Sequence, residues 1–166
     1  MTYTIRRARP ADAPGIVDVA RRTWQSTYAG IIPAAVQEQA LAAWYAEERI
    51  ARQTADPVSA FLLVTTGAGE IVGFAFTSPR PEAGEAELWR FYVLPEHQGK
   101  GLGRRLIAAT LEALPVRRLF VQVEKENAVG RRAYEAMGFT LVREYADDLF
   151  GHATRAVELC LAVAGS

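Results

Sequence analysis

The chain has 166 residues, with 19 basic and 19 acidic side chains and 50% hydrophobic residues. A chain of this length fits a single domain, residues 1–166, whose core needs no disulfide or metal for stability. Its formal net charge of zero excludes the long-range attraction that general binders of nucleic acid or anionic membranes use, so we expect neither partner. Any anion-binding site must therefore be local.

The cysteines and histidines indicate neither a disulfide nor a metal site. Cys160 is the only cysteine, so a disulfide within the chain and a tetrathiolate zinc site are both impossible. His97 and His152 are far apart and lack metal-ligand spacing. The sequence also lacks the apolar runs of a secretory signal or a membrane span. We therefore expect a cytoplasmic protein without a metal.

The N-terminal third predicts one short strand and two or three helices. Residues 4–7 alternate in character, as in a strand. The helix that follows has one apolar face, made by Ile16, Val19, Ala20, Thr23 and Trp24. After a turn at Gly30, Pro33 begins a second helix, and Glu48 and Arg52, four residues apart, lie in a short third one.

The rest of the chain alternates strands with two helices. Residues 61–65 and 71–77 flank a glycine-containing turn and predict an antiparallel hairpin. Three further strands are predicted at residues 119–123, 139–143 and 154–163, another at residues 87–94 before Pro95, and helices at residues 103–114 and 127–137. The order indicates a mixed α and β domain, and the hairpins exclude an all-parallel sheet.

A glycine-rich loop, PEHQGKGLGRR, lies between the strand at residues 87–94 and the next helix. Its glycines at positions 99, 101 and 103 let the backbone approach a ligand. The start of the helix offers unpaired N–H groups and a partial positive charge, and Lys100, Arg104 and Arg105 add three cations. Together these features predict a phosphate site.

Two other phosphate-binding motifs fit this loop less well. A Walker A loop needs Ser or Thr after its lysine, whereas Gly101 follows Lys100. A dinucleotide-binding oxidoreductase remains an alternative, because Glu124 ends the next strand where a ribose-binding acid would lie. Arg104, however, occupies the third glycine position of that fingerprint.

Two segments resemble the GNAT superfamily of N-acetyltransferases. LWRFYVLPEHQGKGLGRRLIAATLEAL is similar to its acyl-CoA signature, Q/R-x-x-G-x-G/A, which Gln98, Gly101 and Gly103 match. LFVQVEKENAVGRRAYEAMGF is similar to a second signature, matched by Asn127, Tyr134 and Gly138-Phe139. The resemblance implies an α+β fold with a mostly antiparallel, twisted sheet of about seven strands, splayed into a V and flanked by about four helices.

The resemblance also implies acetyl-CoA as cosubstrate and a set of coenzyme contacts. Amides near Val93 and Leu94 would bind the pantetheine arm, and amides from Gln98 to Arg104 would hold the diphosphate. The complete expected set is Tyr92, Val93, Leu94, Gln98, Gly99, Lys100, Gly101, Leu102, Gly103, Arg104 and Asn127. Asn127 would also cap its helix. Relatives often form dimers, so a homodimer is expected to be accessible.

The implied reaction moves an acetyl group directly to a primary amine of a small molecule or protein, within a ternary complex. Glu87 is the implied base and Tyr134 the implied acid. Glu144, Asp147 and Asp148 compete with Glu87, because their loop often borders the acceptor pocket in relatives. The aromatic residues Trp24, Tyr28, Trp44 and Tyr45 either wall such a pocket or belong to the core. The alternative is a non-catalytic acyl-CoA sensor or interaction module.

Overall fold

A computed structural model describes residues 1–163; residues 164–166 of the expected domain lie outside the described residues. Its centre is a seven-stranded sheet in the order β1-β2-β3-β4-β5-β7-β6. The strands are β1 (Tyr3–Arg7), β2 (Ala60–Thr66), β3 (Ile71–Pro79), β4 (Glu85–Val93), β5 (Arg118–Glu124), β6 (Thr140–Leu149) and β7 (His152–Ala162). The helices are α1 (Ala13–Thr27), α2 (Ala34–Trp44), α3 (Glu47–Ala55), α4 (Leu102–Ala113) and α5 (Ala128–Ala136).

The core forms where the helices pack on the middle strands. All seven residues of β2 are buried, which explains why its sequence, AFLLVTT, contains no charged residue and does not alternate. The predicted apolar face of α1 is buried as well. Leu102, Leu106 and Ile107 of α4 are buried with it in one continuous cluster. None of the helices within residues 1–163 has the length and apolar character required to cross a bilayer.

One gap in the sheet sets the position of the cavities described below. All neighbouring strands pair antiparallel except β4 and β5, which run parallel and pair only from Glu85–Arg118 to Leu88–Val121. Trp89 follows this last pair and is an extra residue in the register between β4 and β3. Such a bulge bends a strand. Beyond Leu88, β4 therefore separates from β5, as the resemblance implied.

One sequence prediction differs from the observed elements. The five α-helices within residues 1–163 include the predicted short third helix, at Glu47–Ala55. The sixth strand runs to Leu149 and not to residue 143, so Glu144, Asp147 and Asp148 lie on a strand and not in a loop. The sequence did not predict the full length of β6 because its pattern is polar. It is an edge strand with most residues exposed, and an exposed edge strand needs no apolar alternation.

Candidate active site

The last residues of β4 present their backbone to the gap. Leu94 N–H donates to Val72 O at 2.9 Å on the β3 side. Because successive N–H groups of a strand point in opposite directions, Val93 N–H faces the gap. The Leu94 side chain is fully buried. The Leu94 amide, expected to bind the coenzyme, instead completes the ladder with β3, so Val93 supplies the amide that faces the gap.

Two glycines of the loop have a backbone conformation that favours glycine. Gly99 and Gly101 both have φ of +75°, and a Cβ at either would meet nothing within 4 Å. Gly103 has a different role: a Cβ there would lie 3.2 Å from Phe91 Cζ, so this glycine lets α4 pack closely on β4. The side chain of Gln98 connects the loop to the end of β4, because its Nε2 donates to Val93 O at 2.9 Å.

The three cations of the loop do not act together. Arg104 lines the adjoining cavity and donates to Ala136 O at 2.7 Å, which ties α4 to the end of α5. Arg105 instead donates to Tyr3 O at 3.2 Å. Lys100 is exposed and does not line the cavity. Of these three cations, only Arg104 therefore lines the cavity, where the start of α4 also offers backbone N–H groups.

We call the space between this loop, the gap and α5 the loop cavity. Its volume is about 600 Å³. Nine of the eleven residues predicted to contact the coenzyme line it; Leu94 and Lys100 do not. The nine are Tyr92, Val93, Gln98, Gly99, Gly101, Leu102, Gly103, Arg104 and Asn127. Residues from two distant signatures thus surround one space.

Two residues of the second signature reach this cavity from α5. Asn127 caps the helix, its Oδ1 accepting from Gly130 N–H at 2.9 Å, and also lines the cavity. The Tyr134 ring is buried against Phe91 and Phe139. Within residues 1–163 its hydroxyl has no hydrogen-bond partner. Burial raises the pKa of Tyr134, so the phenol keeps its proton at neutral pH.

A second space, the aromatic cavity, lies on the other side of the gap and measures about 560 Å³. Its walls include the four aromatic residues singled out above, together with Trp89, Tyr92 and Tyr145. Six residues line both cavities: Tyr28, Leu88, Trp89, Tyr92, Gln122 and Val123. The two spaces therefore meet at the gap between β4 and β5.

Glu87 lies in the aromatic cavity at this junction. It is 7% exposed, and Gln122 Nε2 donates to its Oε2 at 3.2 Å. Arg80 Nη1 is 3.7 Å from its Oε1. Burial raises the pKa of Glu87, and the hydrogen bond from Gln122 and the charge of Arg80 oppose this rise. A carboxylate in this setting is a better proton acceptor than an exposed glutamate.

The competing acids differ in how well they fit the role of base. Glu144 forms ion pairs with Arg155 at 2.6 Å and Lys125 at 3.0 Å, and these hydrogen bonds lower its pKa. Asp148 accepts from Gly151 N–H at 2.6 Å in the turn after β6. Asp147 is half-buried and lines the aromatic cavity. Of these three acids, only Asp147 shares the cavity with Glu87.

Two residues at the site were not found from the sequence. Gln122 and Tyr145 contact each other beside Glu87, but glutamine and tyrosine on strands carry no recognisable pattern. Glu124 lines the aromatic cavity, and burial raises its pKa. His97 is half-buried in the loop cavity, with Nδ1 2.8 Å from Tyr3 Oη. No local spacing links residues 3 and 97.

The fold and the two cavities together define the class of protein. The profile of the Acetyltransferase (GNAT) family matches residues 19–139, which include the glycine loop, the gap and α5. The chain therefore belongs to the GNAT acetyltransferase family. The sequence prediction of this family and of its fold is confirmed.

The chain is also similar in sequence to named acetyltransferases. A mycothiol acetyltransferase of Tsukamurella paurometabola is 31% identical over 145 residues, which are 80% of this chain and 46% of that protein. The chain thus spans about half the length of this relative. A spermidine N(1)-acetyltransferase of Thermoplasma acidophilum is 27% identical over 143 residues, 84% of this chain and 89% of that protein.

A solved structure has the same fold. The PaiA N-acetyltransferase from Thermoplasma acidophilum, in complex with coenzyme A, has a TM-score of 0.82 and 24% identity. The similarity covers 98% of this chain and 100% of that one. The seven-stranded sheet with its flanking helices is therefore a GNAT fold over nearly the whole chain.

Proposed function

We propose that this chain transfers the acetyl group of acetyl-CoA directly to a primary amine within a ternary complex. The observation that carries the proposal is the junction of the two cavities. One space has the amides of an anion site, the other has aromatic walls and carboxylates, and they meet at a gap in the sheet that exposes backbone donors. Two substrates held in these spaces would have their reacting groups at the gap, which removes most of the entropic barrier to their encounter.

The loop cavity fits coenzyme A as a substrate. The glycine loop and the start of α4 would bind the diphosphate through backbone N–H groups, with Arg104 beside them. Val93 N–H faces the gap and would bind the pantetheine arm or polarise the thioester carbonyl, as an oxyanion-hole donor does. Neither role requires a metal ion.

The aromatic cavity fits an amine acceptor. Aromatic faces attract cations and pack against aliphatic carbon, and the carboxylates of Glu87, Glu124 and Asp147 add negative charge. Two relatives are named for mycothiol and spermidine, and in this chain a small amine of either kind suits a space of about 560 Å³. An amine side chain or terminus of a protein remains an alternative acceptor.

Glu87 would remove a proton from the incoming ammonium group. An alkylammonium ion has a pKa near 10.4 and an ordinary glutamate one near 4.3, a gap of about six units or roughly 8 kcal/mol. The burial that raises the pKa of Glu87 narrows this gap. The free amine then attacks the thioester carbonyl carbon, a C–N bond forms, and the C–S bond breaks.

Tyr134 would protonate the departing thiolate. Its hydroxyl has no hydrogen-bond partner within residues 1–163, and its raised pKa keeps it protonated until negative charge develops on sulfur. The acceptor nitrogen loses two protons: Glu87 takes the first before attack, and the second, lost after attack, replaces through solvent the proton that Tyr134 gives to the thiolate. The products are an N-acetylated amine and coenzyme A with a free thiol, and no acyl-enzyme forms.

The test is a panel of amines offered with acetyl-CoA, with thiol release and acetylated product both measured. The panel includes polyamines, amino sugars, amino acids and short peptides. We expect turnover with at least one amine, and Glu87→Gln should reduce its rate by about 10²–10⁴-fold. Glu112→Gln, which changes an exposed acid on α4 outside both cavities, should leave it unchanged.

Tight binding of coenzyme A without thiol release from any amine in the panel would refute transfer and favour the acyl-CoA sensor. Preferential binding of NAD over coenzyme A would favour the dinucleotide alternative. A direct competition titration between NAD and coenzyme A separates that case from the first two.

A further inference from the structure

Gln122 occupies the first position of β5 beyond its pairing with β4. The last β4–β5 pair joins Leu88 to Val121, so the next β5 residue lies where the two strands begin to separate. Its side chain is half-buried and lines both cavities. A side chain in this position can contact both substrates or the residues that transfer their protons.

The amide of Gln122 has a complete set of partners. Its Nε2 donates to Glu87 Oε2 at 3.2 Å and to Glu158 Oε2 at 2.9 Å. Its Oε1 accepts from the Tyr145 hydroxyl at 2.8 Å. Ionised carboxylates only accept hydrogen bonds, so the amide nitrogen must face both of them. The reversed amide would place its oxygen against two acceptors and lose both of those bonds.

Titratable groups from four other segments, the end of β3, β4, β6 and β7, surround this amide. Arg80, after β3, lies 3.7 Å from both Glu87 and Glu158. Arg143 of β6 is 3.4 Å from Glu158. Tyr145 of β6 is the remaining titratable group in contact with the amide, and Cys160 of β7 lies farther along the same sheet face, opposite Phe120. Two carboxylates, two guanidinium groups and one phenol thus meet at one neutral amide.

We propose that Gln122, oriented by Tyr145, is a positioning residue that holds the Glu87 carboxylate at the junction of the two cavities. This inference rests on the proposed function, in which Glu87 is the base. The amide separates Glu87 from the like charge of Glu158 and holds one of its oxygens by a hydrogen bond. The other oxygen, Oε1, faces Arg80 at 3.7 Å without a hydrogen bond, which leaves it able to accept a proton.

The proposal predicts a specific change in pH dependence. A hydrogen bond to the charged form of a carboxyl favours ionisation, so Gln122 lowers the pKa of Glu87. Gln122→Leu, which keeps the volume and removes the amide, should move the acid limb of kcat/KM upward by about one pH unit. Tyr145→Phe, which removes only the group orienting the amide, should move it in the same direction by less.

A second measurement follows the carboxyl itself and needs no turnover. The ¹³C signal of the Glu87 carboxyl, assigned by its loss in Glu87→Gln, is titrated in the free protein. Its midpoint should rise in Gln122→Leu by the same amount as the acid limb. Gln37→Leu is the matched control, because it removes another buried amide that donates to two carbonyl oxygens. It should lower the melting temperature without moving either titration.

The outcomes are distinguishable. Parallel shifts of the acid limb and of the carboxyl midpoint support the positioning role. An active wild-type protein whose two titrations stay in place in both Gln122→Leu and Tyr145→Phe overturns it, and equal shifts in Gln37→Leu would do the same. A wild-type protein without acetyl transfer refutes the proposed function instead, and the ¹³C titration then still reports whether Gln122 controls Glu87. Should Gln122→Leu fail to fold, Tyr145→Phe on the edge strand carries both measurements.

Discussion

Gly101→Ala tests whether the backbone of the glycine loop holds coenzyme A. This glycine has φ of +75°, and a Cβ there would meet nothing within 4 Å. The substitution therefore introduces no clash with the protein, and its whole effect comes from the left-handed conformation. For a residue with a Cβ, that conformation costs about 1–2 kcal/mol.

The cost of the left-handed conformation can reduce either the stability of the fold or the affinity for coenzyme A. If the substituted residue keeps its φ, the free energy of unfolding falls by the full amount, and the melting temperature drops by about 2–8 °C. The added methyl group then projects beside the loop cavity. If the loop relaxes instead, binding must restore the left-handed conformation, and the affinity for coenzyme A falls by up to about 5–30-fold. The losses of stability and affinity together should amount to about 1–2 kcal/mol.

Gly69→Ala is the matched control. Gly69 has φ of +84°, and a Cβ there would likewise meet nothing within 4 Å. Its N–H donates to Thr66 O at 2.9 Å in the turn between β2 and β3. The flanking strands hold this turn, and it lines neither cavity. We expect a similar drop in melting temperature and no change in coenzyme affinity.

Calorimetric titration with coenzyme A and thermal unfolding of both variants provide the two quantities. Gly101→Ala should bind more weakly than both the wild-type protein and Gly69→Ala. Equal coenzyme affinity in all three proteins, with Gly101→Ala also as stable as the wild-type protein, would refute this reasoning, because the cost of the left-handed conformation must be lost from folding or from binding.

Three further variants test single residues of the site. Glu87→Gln should be more stable than the wild-type protein at neutral pH: because burial raises the pKa of Glu87, the wild-type protein loses stability as pH rises from the ordinary glutamate value through the raised one. Urea unfolding between about pH 4 and pH 8 should show this advantage shrinking toward acid, and a constant difference would contradict it. Asn127→Ala should lower the free energy of unfolding by about 1 kcal/mol through loss of the cap on Gly130 N–H, whereas Asn127→Ser should keep most of it; equal losses would show that the cap contributes little. Tyr134→Phe should lower kcat while the dissociation constant of coenzyme A, measured by titration, stays nearly constant, and unchanged turnover would remove Tyr134 from the mechanism.

Local sequence patterns were sufficient for most of the elements and for the loop cavity. The apolar face of α1 repeats with the helical period, and Asn127 begins its helix as a cap, so each could be predicted from neighbouring residues alone. The glycines at positions 99 and 101 predicted a backbone that a ligand can approach for the same reason. Such features depend on residues a few positions apart, and steric preference acts over that distance.

The aromatic cavity and the surroundings of Glu87 could not be predicted in this way. Gln122, Tyr145 and Arg80 meet around Glu87 only because the order β3-β4-β5-β7-β6 brings four segments to one face of the sheet. The same pairing assigned Leu94 N–H to Val72, and the ion pairs of Glu144 are formed across strands and loops. By itself, the sequence determined the family, the sheet with its helices and the glycine loop. Only the tertiary structure decided which acid faces the gap and what surrounds it, because burial and charge at a side chain depend on residues that are distant along the chain.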